Sequence, residues 1–441
     1  MGFAAIVLAA GKGSRMNSSR PKVMHQLAGA PLIDHVLHNA EEAGAERMIV
    51  VVGYGAEEVE KHLDGRAETV VQATQNGTGD ATLQAREKLA GFEGDAVVLY
   101  GDGPFVYPET IAAALEKRAS ADLVIVGFDA PDPAGYGRLI MDGDTLEAIV
   151  EEKDCTDDQK AITLCNLGVV SAPAPLLFEL LNDVGNNNAS GEIYLTDIAA
   201  IAWRKGLKCS VVLCDPSEAA GVNTRAQLAG AEASFQARAR SGVLENGTTL
   251  VAPETVFFAL DTHIGADVLI EPNVFFGPGV TVENGAHIKA FCHLEGCHIS
   301  EGAVVGPYAR LRPGAEIGAF GKVGNFVEIK NAAIGKGAKV NHLSYVGDAE
   351  IGAESNIGAG VIFCNYDGVF KHHSTLGERV FVGSNSALVS PVNIGDDAMI
   401  GTGSVVTKDV PVGDLVLARS QQTNKKGRGK RLMDMLRAKK K

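Results

Sequence analysis

The second half of the chain repeats an apolar residue every six positions. Aliphatic or aromatic side chains recur in this way from Ile264 to Val406, and the spacing shifts by one residue only a few times. A period of six fits neither an amphipathic helix nor an alternating strand. It predicts a parallel β-helix, in which each unit supplies one short strand and one turn, and three units close a triangular coil around a continuous core. The repeated residues are Ile264, Ile270, Phe276, Val282, Ile288, Leu294, Ile299, Val305, Leu311, Ile317, Val323, Ile329, Ile334, Val340, Val346, Ile351, Ile357, Phe363, Leu376, Val382, Leu388, Ile394, Ile400 and Val406.

Glycine follows many of these residues directly, as in Ile317-Gly318 and Ile351-Gly352. We expect these glycines to occupy turns with positive φ, which glycine adopts without strain. A loose glycine-rich sandwich is the alternative, but it would not keep one phase over roughly 140 residues. The polar segment Cys364–Thr375 interrupts the repeat, and a loop that leaves a rigid coil is a natural place for a site.

The first half alternates between apolar runs and helical periods. This order predicts βαβ units, and therefore an open, mostly parallel sheet that binds ligands at the carboxyl ends of its strands. The expected elements are strands at Ala4–Leu8, Met48–Val52, Thr69–Gln72 and Ala96–Tyr100, and helices at Leu32–Ala43, Ala56–Leu63 and Ala81–Leu89. The expected domains are a Rossmann-like α/β domain at 1–225, a linker at 226–249 with a helical pattern over Ala226–Ala239, a β-helix at 250–420 and a basic tail at 421–441.

Composition and charge narrow the class of protein. A chain of 441 residues with 46% hydrophobic and 21% charged residues is typical of a soluble protein with two or three domains. The net charge of −14 argues against nucleic-acid binding, and the basic tail is typical of a solvated chain end. We expect a cytoplasmic protein without a membrane partner, because no secretory leader or apolar run of membrane length is found.

The seven cysteines form no CxxC pair. Cys292 and Cys297, with His293 and His298 beside them, could suggest zinc. A tetrahedral zinc site needs a second converging pair of ligands, and the sequence offers none. These residues are therefore interpreted as turn and core positions of the repeat.

A glycine-rich turn follows the first predicted strand. Gly11 and Gly13 allow backbone N–H groups to approach a phosphate, and Lys12, Arg15 and Lys22 add countercharge. The segment is not a Walker loop, because no Gly-Lys-Ser/Thr ends it, and it lacks the third glycine of the dinucleotide motif.

Polar groups also follow two other predicted strands. The amides and hydroxyl of Gln72–Gly79 could recognise a base edge, and Asp102 lies just beyond the strand that ends at Tyr100. Asp102 could cap the helix predicted near Pro108. Beside a phosphate-binding loop, however, a role in holding magnesium is favoured.

These motifs together resemble a known family. Leu8-Ala9-Ala10-Gly11-x-Gly13-Ser14-Arg15-Met16 with Pro21-Lys22 is similar to the signature of sugar-1-phosphate nucleotidyltransferases. With the hexapeptide repeat behind it, nearly the whole chain resembles the bacterial bifunctional family that joins an N-acetylglucosamine-1-phosphate uridyltransferase to a glucosamine-1-phosphate N-acetyltransferase. The further motifs are Gly135-Tyr136-Gly137-Arg138, Glu151, Asn166, Gly191–Asp197 and Gly221-Val222-Asn223.

The resemblance implies a uridyltransfer site in the first half. Arg15 and Lys22 would hold the triphosphate of UTP and stabilise the leaving pyrophosphate, while Asp102 and Asn223 would hold Mg²⁺. Uracil would be recognised by Gln72, Gly77 and Thr78, and the sugar would be bound by Gly137, Glu151 and Asn166. The remaining nucleotide contacts are expected from Leu8, Ala9, Gly11, Tyr100 and Gly101.

The resemblance also implies an acetyl-CoA-dependent site in the β-helix of a homotrimer. His342 would be the general base and Glu328 the carboxylate that orients or stabilises it. Glucosamine-1-phosphate would be bound by Arg312, Lys330, Tyr345, Asn356 and Lys371. Acetyl-CoA would be bound by Ala359, Asn365, Tyr366, Ser384, Thr402 and Arg419, with Thr402 in place of a more usual alanine.

Two other hypotheses remain open at this point. The β-helix could serve only for trimerisation or regulation of a nucleotidyltransferase, but the set His342, Lys330, Asn365, Tyr366 and Lys371 argues against this. The chain could also be a non-catalytic scaffold. The joint presence of Arg15, Lys22, Asp102 and Asn223 disfavours the scaffold.

Overall fold

In the computed structural model, which describes residues 2–440, the chain divides into two compact units, Met1–Gln236 and Ala237–Lys441. The strands of the first unit are β1 Phe3–Ala9, β2 Gln26–Leu27, β3 Ala30–Pro31, β4 Ala45–Val52, β5 Glu68–Val71, β6 Asp95–Tyr100, β7 Leu123–Asp129, β8 Arg138–Asp142, β9 Thr145–Val150, β10 Leu164–Pro173 and β11 Cys209–Leu213. Its helices are α1 Leu32–Glu42, α2 Ala56–Leu63, α3 Thr78–Leu83, α4 Pro108–Arg118, α5 Asp157–Lys160, α6 Ala174–Asn182, α7 Asp197–Arg204 and the start of α8 Arg225–Glu245.

The first unit contains the expected open α/β sheet. Its strand order is β11-β7-β10-β6-β1-β4-β5, and β1 pairs in parallel with both β4 and β6. The sheet is mixed, because β10 runs antiparallel to β6 and β7. Strand β1 is buried along its whole length, as expected for a central strand covered on both faces.

The predicted elements are present, but strand β4 begins earlier, at Ala45, and two helices have displaced bounds. The helix predicted at Ala81–Leu89 begins earlier and ends sooner, at Thr78–Leu83, because the polar stretch after Gly77 already enters the helix and irregular turns replace its last residues. The helix predicted at Ala226–Ala239 extends to Glu245. The division between the two compact units falls inside this helix.

The second unit is the predicted parallel β-helix. Strands stack in parallel on the strand one coil earlier, as in the pairing of Leu269 with His287 and of His287 with Val304. Its strands are β12 Thr249–Leu250, β13 His263–Ile264, β14 Leu269–Ile270, β15 Phe275–Phe276, β16 Thr281–Val282, β17 His287–Ile288, β18 His293–Leu294, β19 Cys297–Ile299, β20 Val304–Val305, β21 Arg310–Leu311, β22 Ala315–Ile317, β23 Lys322–Asn325, β24 Glu328–Ile334, β25 Lys339–His342, β26 Tyr345–Ile351, β27 Asn356–Ile357, β28 Ile362–Cys364, β29 Ser374–Leu376, β30 Phe381–Val382, β31 Ala387–Val389, β32 Asn393–Ile394, β33 Met399–Ile400, β34 Val405–Val406 and β35 Leu415–Val416.

The six-residue repeat forms the core of this solenoid. Every repeated apolar residue from Ile270 to Val406 is buried, and only Ile264, at the first coil, is partly exposed. The interruption after Phe363 is a loop between β28 and β29. Beyond the solenoid the chain ends in helix α9, Arg428–Lys439, which has no buried residue. No helix in residues 2–440 is long and apolar enough to cross a membrane.

The expectation for the repeat glycines is wrong. Gly318, Gly335 and Gly352 are not among the residues with positive φ. They are small because adjacent coils approach closely: a Cβ on Gly335 would lie 2.7 Å from the carbonyl oxygen of Ile351. The left-handed corners are instead occupied by residues such as Phe326 and Asn331.

Two candidate active sites

Four polar side chains form one hydrogen-bonded cluster beside the glycine-rich turn that follows β1, which we call the phosphate loop. Lys22 forms an ion pair with Asp102, and its Nζ donates to Asn223 Oδ1 at 2.9 Å. Arg15 donates to the same amide oxygen at 2.9 Å. Gly13 has a left-handed φ of 62°, and a side chain there would collide with Lys22. The fold therefore brings together the four residues predicted to hold triphosphate and metal.

The donor set of this cluster fits a hard cation. The carboxylate of Asp102 and the amide oxygen of Asn223 both face the ammonium group of Lys22, so two oxygen ligands converge on one positive centre. Mg²⁺ is commonly bound by one or two such protein oxygens and keeps several waters. Asp102 does not cap helix α4, whose N-cap is Tyr107 without a side-chain hydrogen bond.

A cleft beside the phosphate loop contains most of the predicted nucleotide-binding residues. Gln72 lines it but donates through Nε2 to Asp80 Oδ2 at 2.7 Å and to the Gly77 carbonyl at 3.1 Å. Only its Oε1 therefore remains for a base. Gly101 is buried behind the cleft, where its N–H donates to the Leu8 carbonyl. The predicted residues lining the cleft are Leu8, Ala9, Gly11, Lys22, Gln72, Gly77, Thr78, Tyr100 and Asp102.

A second cleft shares Tyr100 and Asp102 with the first and holds the predicted sugar-binding residues Gly137, Glu151 and Asn166. Asn166 Oδ1 accepts from the Gly168 N–H at 3.0 Å, which leaves its Nδ2 free to donate to a ligand. Burial raises the pKa of Glu151, a hydrogen bond from Thr196 opposes the shift, and neighbouring Asp197 adds to it.

Sequence reasoning missed several residues of this unit. Gln75 and Glu192 line the first cleft, and Gln75 donates to the Ala10 carbonyl at 3.1 Å. Thr196 holds Glu151 Oε1 at 3.1 Å. Gln75 lies within the polar stretch that was singled out as base-recognising, and Glu192 and Thr196 lie within the family motif Gly191–Asp197, but the contact between Thr196 and Glu151 depends on the tertiary fold.

In the β-helix, the predicted base and the predicted acetyl-CoA contacts follow one corner of the coil. Asn325, His342, Ala359, Ser384 and Thr402 each stand two residues after a buried strand residue of the same face. Backbone N–H groups connect successive turns, since Gly360 donates to His342, Asn385 to Ala359 and Gly403 to Ser384. We name this row of residues the catalytic corner. Arg419 extends it by donating to the Thr402 carbonyl at 2.6 Å, and Asn356 lies on the strand just before it.

The partner of His342 differs from the prediction. His342 Nδ1 lies 2.6 Å from Asn325 Oδ1, one coil earlier in the stack. Glu328, predicted as the orienting carboxylate, is paired with Arg312 at 2.9 Å and Arg310 at 3.8 Å. Glu328 begins strand β24, which follows the corner, and there it pairs with the two arginines. Asn325 instead stacks directly on His342 at the corner itself.

The predicted phosphate-binding cations cluster just before the next corner. Lys371, whose ammonium faces that of Lys330, lowers the pKa of Lys330, and burial and the charge of Arg312 add to the effect. Two adjacent ammonium groups and a guanidinium are suited to the charge of a dianionic phosphate. Within one chain, therefore, the cations and His342 lie at different corners of the coil.

Asp348 fixes the orientation of Asn365, one of the predicted acetyl-CoA contacts. It accepts hydrogen bonds from Asn365 Nδ2 at 2.5 Å and Asn331 Nδ2 at 2.7 Å, which leaves Asn365 Oδ1 available as an acceptor. A side chain on Gly347 would collide with Tyr345 and with Asn365, so both lie against this glycine. Tyr366 starts the interrupting loop, and its hydroxyl donates to the Gly368 carbonyl at 2.6 Å.

Comparisons with known proteins cover both units. The model of the MobA-like NTP transferase domain matches residues 5–162, that of the bacterial transferase hexapeptide matches 261–296, and that of the hexapeptide repeat of succinyl-transferase matches 375–408. These matches agree with a left-handed β-helix behind a nucleotidyltransferase domain.

Curated relatives match along the full chain. The "Bifunctional protein GlmU" of Ruegeria sp. (strain TM1040) is 59% identical over 443 aligned residues, which cover 100% of this chain and 99% of that protein. The proteins of the same name from Roseobacter denitrificans and Novosphingobium aromaticivorans are 56% and 54% identical, over 100% and 99% of this chain and 98% of each relative.

Proposed function

The chain belongs to the bifunctional GlmU family, and we propose on this premise that it makes UDP-N-acetylglucosamine in two steps. The β-helix transfers an acetyl group from acetyl-CoA to glucosamine-1-phosphate. The α/β unit then transfers uridylyl from UTP to N-acetylglucosamine-1-phosphate and releases pyrophosphate. The product serves as a precursor for peptidoglycan and lipopolysaccharide.

The observation that carries this proposal is the full-length match to bifunctional relatives, which spans both polar sites. A scaffold would have no reason to keep the cluster of Arg15, Lys22, Asp102 and Asn223. A β-helix used only for trimerisation would have no reason to keep the catalytic corner.

The chemistry of acetyl transfer follows from His342. The oxygen of Asn325 can only accept, so His342 Nδ1 carries a hydrogen and Nε2 of the neutral imidazole has a free lone pair. Nε2 takes a proton from the amine of the sugar while the amine nitrogen attacks the thioester carbonyl of acetyl-CoA. The C–S bond breaks, and the CoA thiolate takes up a proton. Asn365 Oδ1 accepts a hydrogen bond from the amine, since Asp348 holds its Nδ2.

Uridylyl transfer depends on charge stabilisation. An oxygen of the sugar phosphate attacks the α-phosphorus of UTP, and the bond from that phosphorus to the β-phosphate oxygen breaks. Arg15 and Lys22 stabilise the negative charge of the pyrophosphate as it leaves. Mg²⁺, held by Asp102 and Asn223, would neutralise triphosphate charge. Glu151 and the free Nδ2 of Asn166 orient the sugar.

A homotrimer would complete the acetyl-transfer site. His342 and the cations lie at different corners of one coil, so one chain does not bring them together. The catalytic corner also carries a row of exposed apolar side chains, with stacked rings of Phe291, Tyr308 and Phe326 at 4.8 and 5.1 Å followed by Leu343. Three coils around an axis would cover this stripe and set His342 of one chain against Lys330 and Lys371 of the next.

We further propose a cytoplasmic location, where UTP and acetyl-CoA are supplied. The test of the proposed function is an assay of the purified protein with glucosamine-1-phosphate, acetyl-CoA, UTP and Mg²⁺, in which free CoA and pyrophosphate are followed separately. We expect CoA to appear first and pyrophosphate to appear only after N-acetylglucosamine-1-phosphate has formed. Release of only one of the two products would contradict the bifunctional assignment.

A further inference from the structure

Helix α9 places an apolar stripe on a surface that nothing in the described part of the chain covers. Leu432, Met435 and Leu436 stand at positions i, i+3 and i+4 and therefore share one face, with Met433 at its border. These four side chains are between 49% and 53% exposed, and no residue of the helix is buried. Lys430, Asp434 and Arg437 lie on the opposite face, where Lys430 pairs with Asp434 at 2.9 Å.

The charge of this segment is opposite to that of the rest of the protein. Residues 421–441 contain nine lysines and arginines and one aspartate, a formal charge of +8. Since the whole chain carries −14, the first 420 residues carry −22. The basic residues lie on both sides of the apolar stripe, before it at Lys425–Arg431 and after it at Arg437–Lys441. A stripe flanked by positive charge is suited to an anionic surface with an apolar interior.

We propose that helix α9 docks in the plane of an anionic lipid bilayer, with Leu432, Met433, Met435 and Leu436 inserted among the acyl chains. Interfacial helices combine buried apolar side chains with lysines and arginines that contact acidic headgroups. The enzyme would then be peripherally bound to the membrane, in contrast to the expectation of no membrane partner from the sequence. No spanning segment is needed for this attachment.

Two other partners of helix α9 would explain its apolar stripe and basic flanks less well. A bundle of α9 helices from several copies would cover the apolar stripes, but it would bring flanks of +8 together. A nucleic acid would attract the basic residues, but it would leave four apolar side chains exposed to water.

The test is sedimentation of the full-length protein with vesicles. One set contains phosphatidylcholine alone, and the other contains about 30% phosphatidylglycerol, which supplies anionic headgroups. We expect binding only to the anionic vesicles, and a fall of at least about tenfold in bound fraction between about 0.05 and 0.5 M salt, because the contacts are screened. Equal binding to both vesicle types, or no binding, would overturn the proposal.

Substitutions separate insertion from simple charge attraction. The double variant Leu432→Ser/Leu436→Ser keeps every charge and should weaken vesicle binding about tenfold, with both transferase activities unchanged. Leu213→Ser, at a leucine outside the tail that is 63% exposed, is the matched control and should bind as the natural protein does. If the double variant bound vesicles normally, lipid insertion would be wrong. If the double variant and the natural protein also bound an RNA homopolymer equally well, the occupant would be a polyanion.

Discussion

The hydrogen bond from His342 Nδ1 to Asn325 Oδ1 decides which imidazole nitrogen can act as a base. The sequence pointed to His342 as the base but named Glu328 as the carboxylate that orients or stabilises it. The coil geometry explains the difference. Positions one coil apart stack at the same turn, so the residue 17 positions before His342 is its neighbour. Counting back by one coil from His342 along the sequence would have identified Asn325 as its neighbour.

Replacing Asn325 tests its role as a positioning residue. We expect Asn325→Ala to lower kcat of acetyl transfer by about tenfold with little change in KM, because the imidazole loses its fixed tautomer while the substrate contacts remain. Asn325→Asp should restore most of the rate and move the acidic limb of the pH–rate profile to higher pH, since a carboxylate stabilises the imidazolium. The measurement is CoA release against pH. An unchanged kcat in Asn325→Ala would remove this residue from the mechanism.

Glu151 provides a second prediction for a single residue. The pKa of Glu151 is raised, and burial of the carboxyl group is the largest cause of this shift. A carboxyl group with a raised folded-state pKa stabilises the fold below its unfolded pKa and loses that contribution as the pH rises through the folded pKa. Glu151→Gln removes the ionisation and should raise Tm at pH 8 by about 1–3 °C. The gain should shrink towards pH 5, as measured by thermal unfolding. An equal change in Tm at both pH values would show that ionisation of Glu151 is not its cause.

At the scale of elements, the six-residue period was sufficient to predict the β-helix, its core and the loop that interrupts it. The repeat glycines were interpreted wrongly, because a sequence pattern does not distinguish a left-handed turn from a close approach of two backbones. Asn331 and Phe326 adopt the left-handed corners instead. The early start of helix α3 at Thr78 was hidden by polar residues that resemble a loop.

Two glycine-to-alanine substitutions test this explanation in opposite directions. A Cβ on Gly352 would collide with the carbonyl of Gly377 in the next coil, so Gly352→Ala should destabilise the fold by about 1–3 kcal/mol. Gly242, within helix α8, has no atom within 4 Å of such a Cβ, so Gly242→Ala should stabilise by up to about 1 kcal/mol. Denaturant unfolding measures both. Similar effects of the two substitutions would contradict close stacking as the reason for the repeat glycines.

At the scale of the whole molecule, each compact unit contains its own polar site. The residues predicted for uridyl transfer all lie before Gln236, and those predicted for acetyl transfer all lie after Ala237. Which residues belong to each half could be predicted from motif order. The placement of His342 and the cations at different corners could not, because it depends on where each residue falls around the coil.

The proposed trimer predicts that active sites can be rebuilt from inactive chains. His342→Ala and Lys371→Ala should each lose acetyl transfer. After subunit exchange in an equal mixture, about a quarter of the sites should combine an intact His342 with an intact Lys371 from different chains. CoA release should recover to about that level. Fully exchanged trimers without recovered activity would place both residues of a site on the same chain.

Parallel progress curves for CoA and pyrophosphate show whether one chain houses two independent transferases. Asp102→Ala should lower pyrophosphate release by at least about 100-fold with CoA release within about twofold of normal. His342→Ala should do the reverse when N-acetylglucosamine-1-phosphate is supplied. Asp144→Ala and His263→Ala, at exposed positions outside both sites, should leave both curves unchanged. A folded variant in which either site substitution abolished both activities would contradict two independent sites.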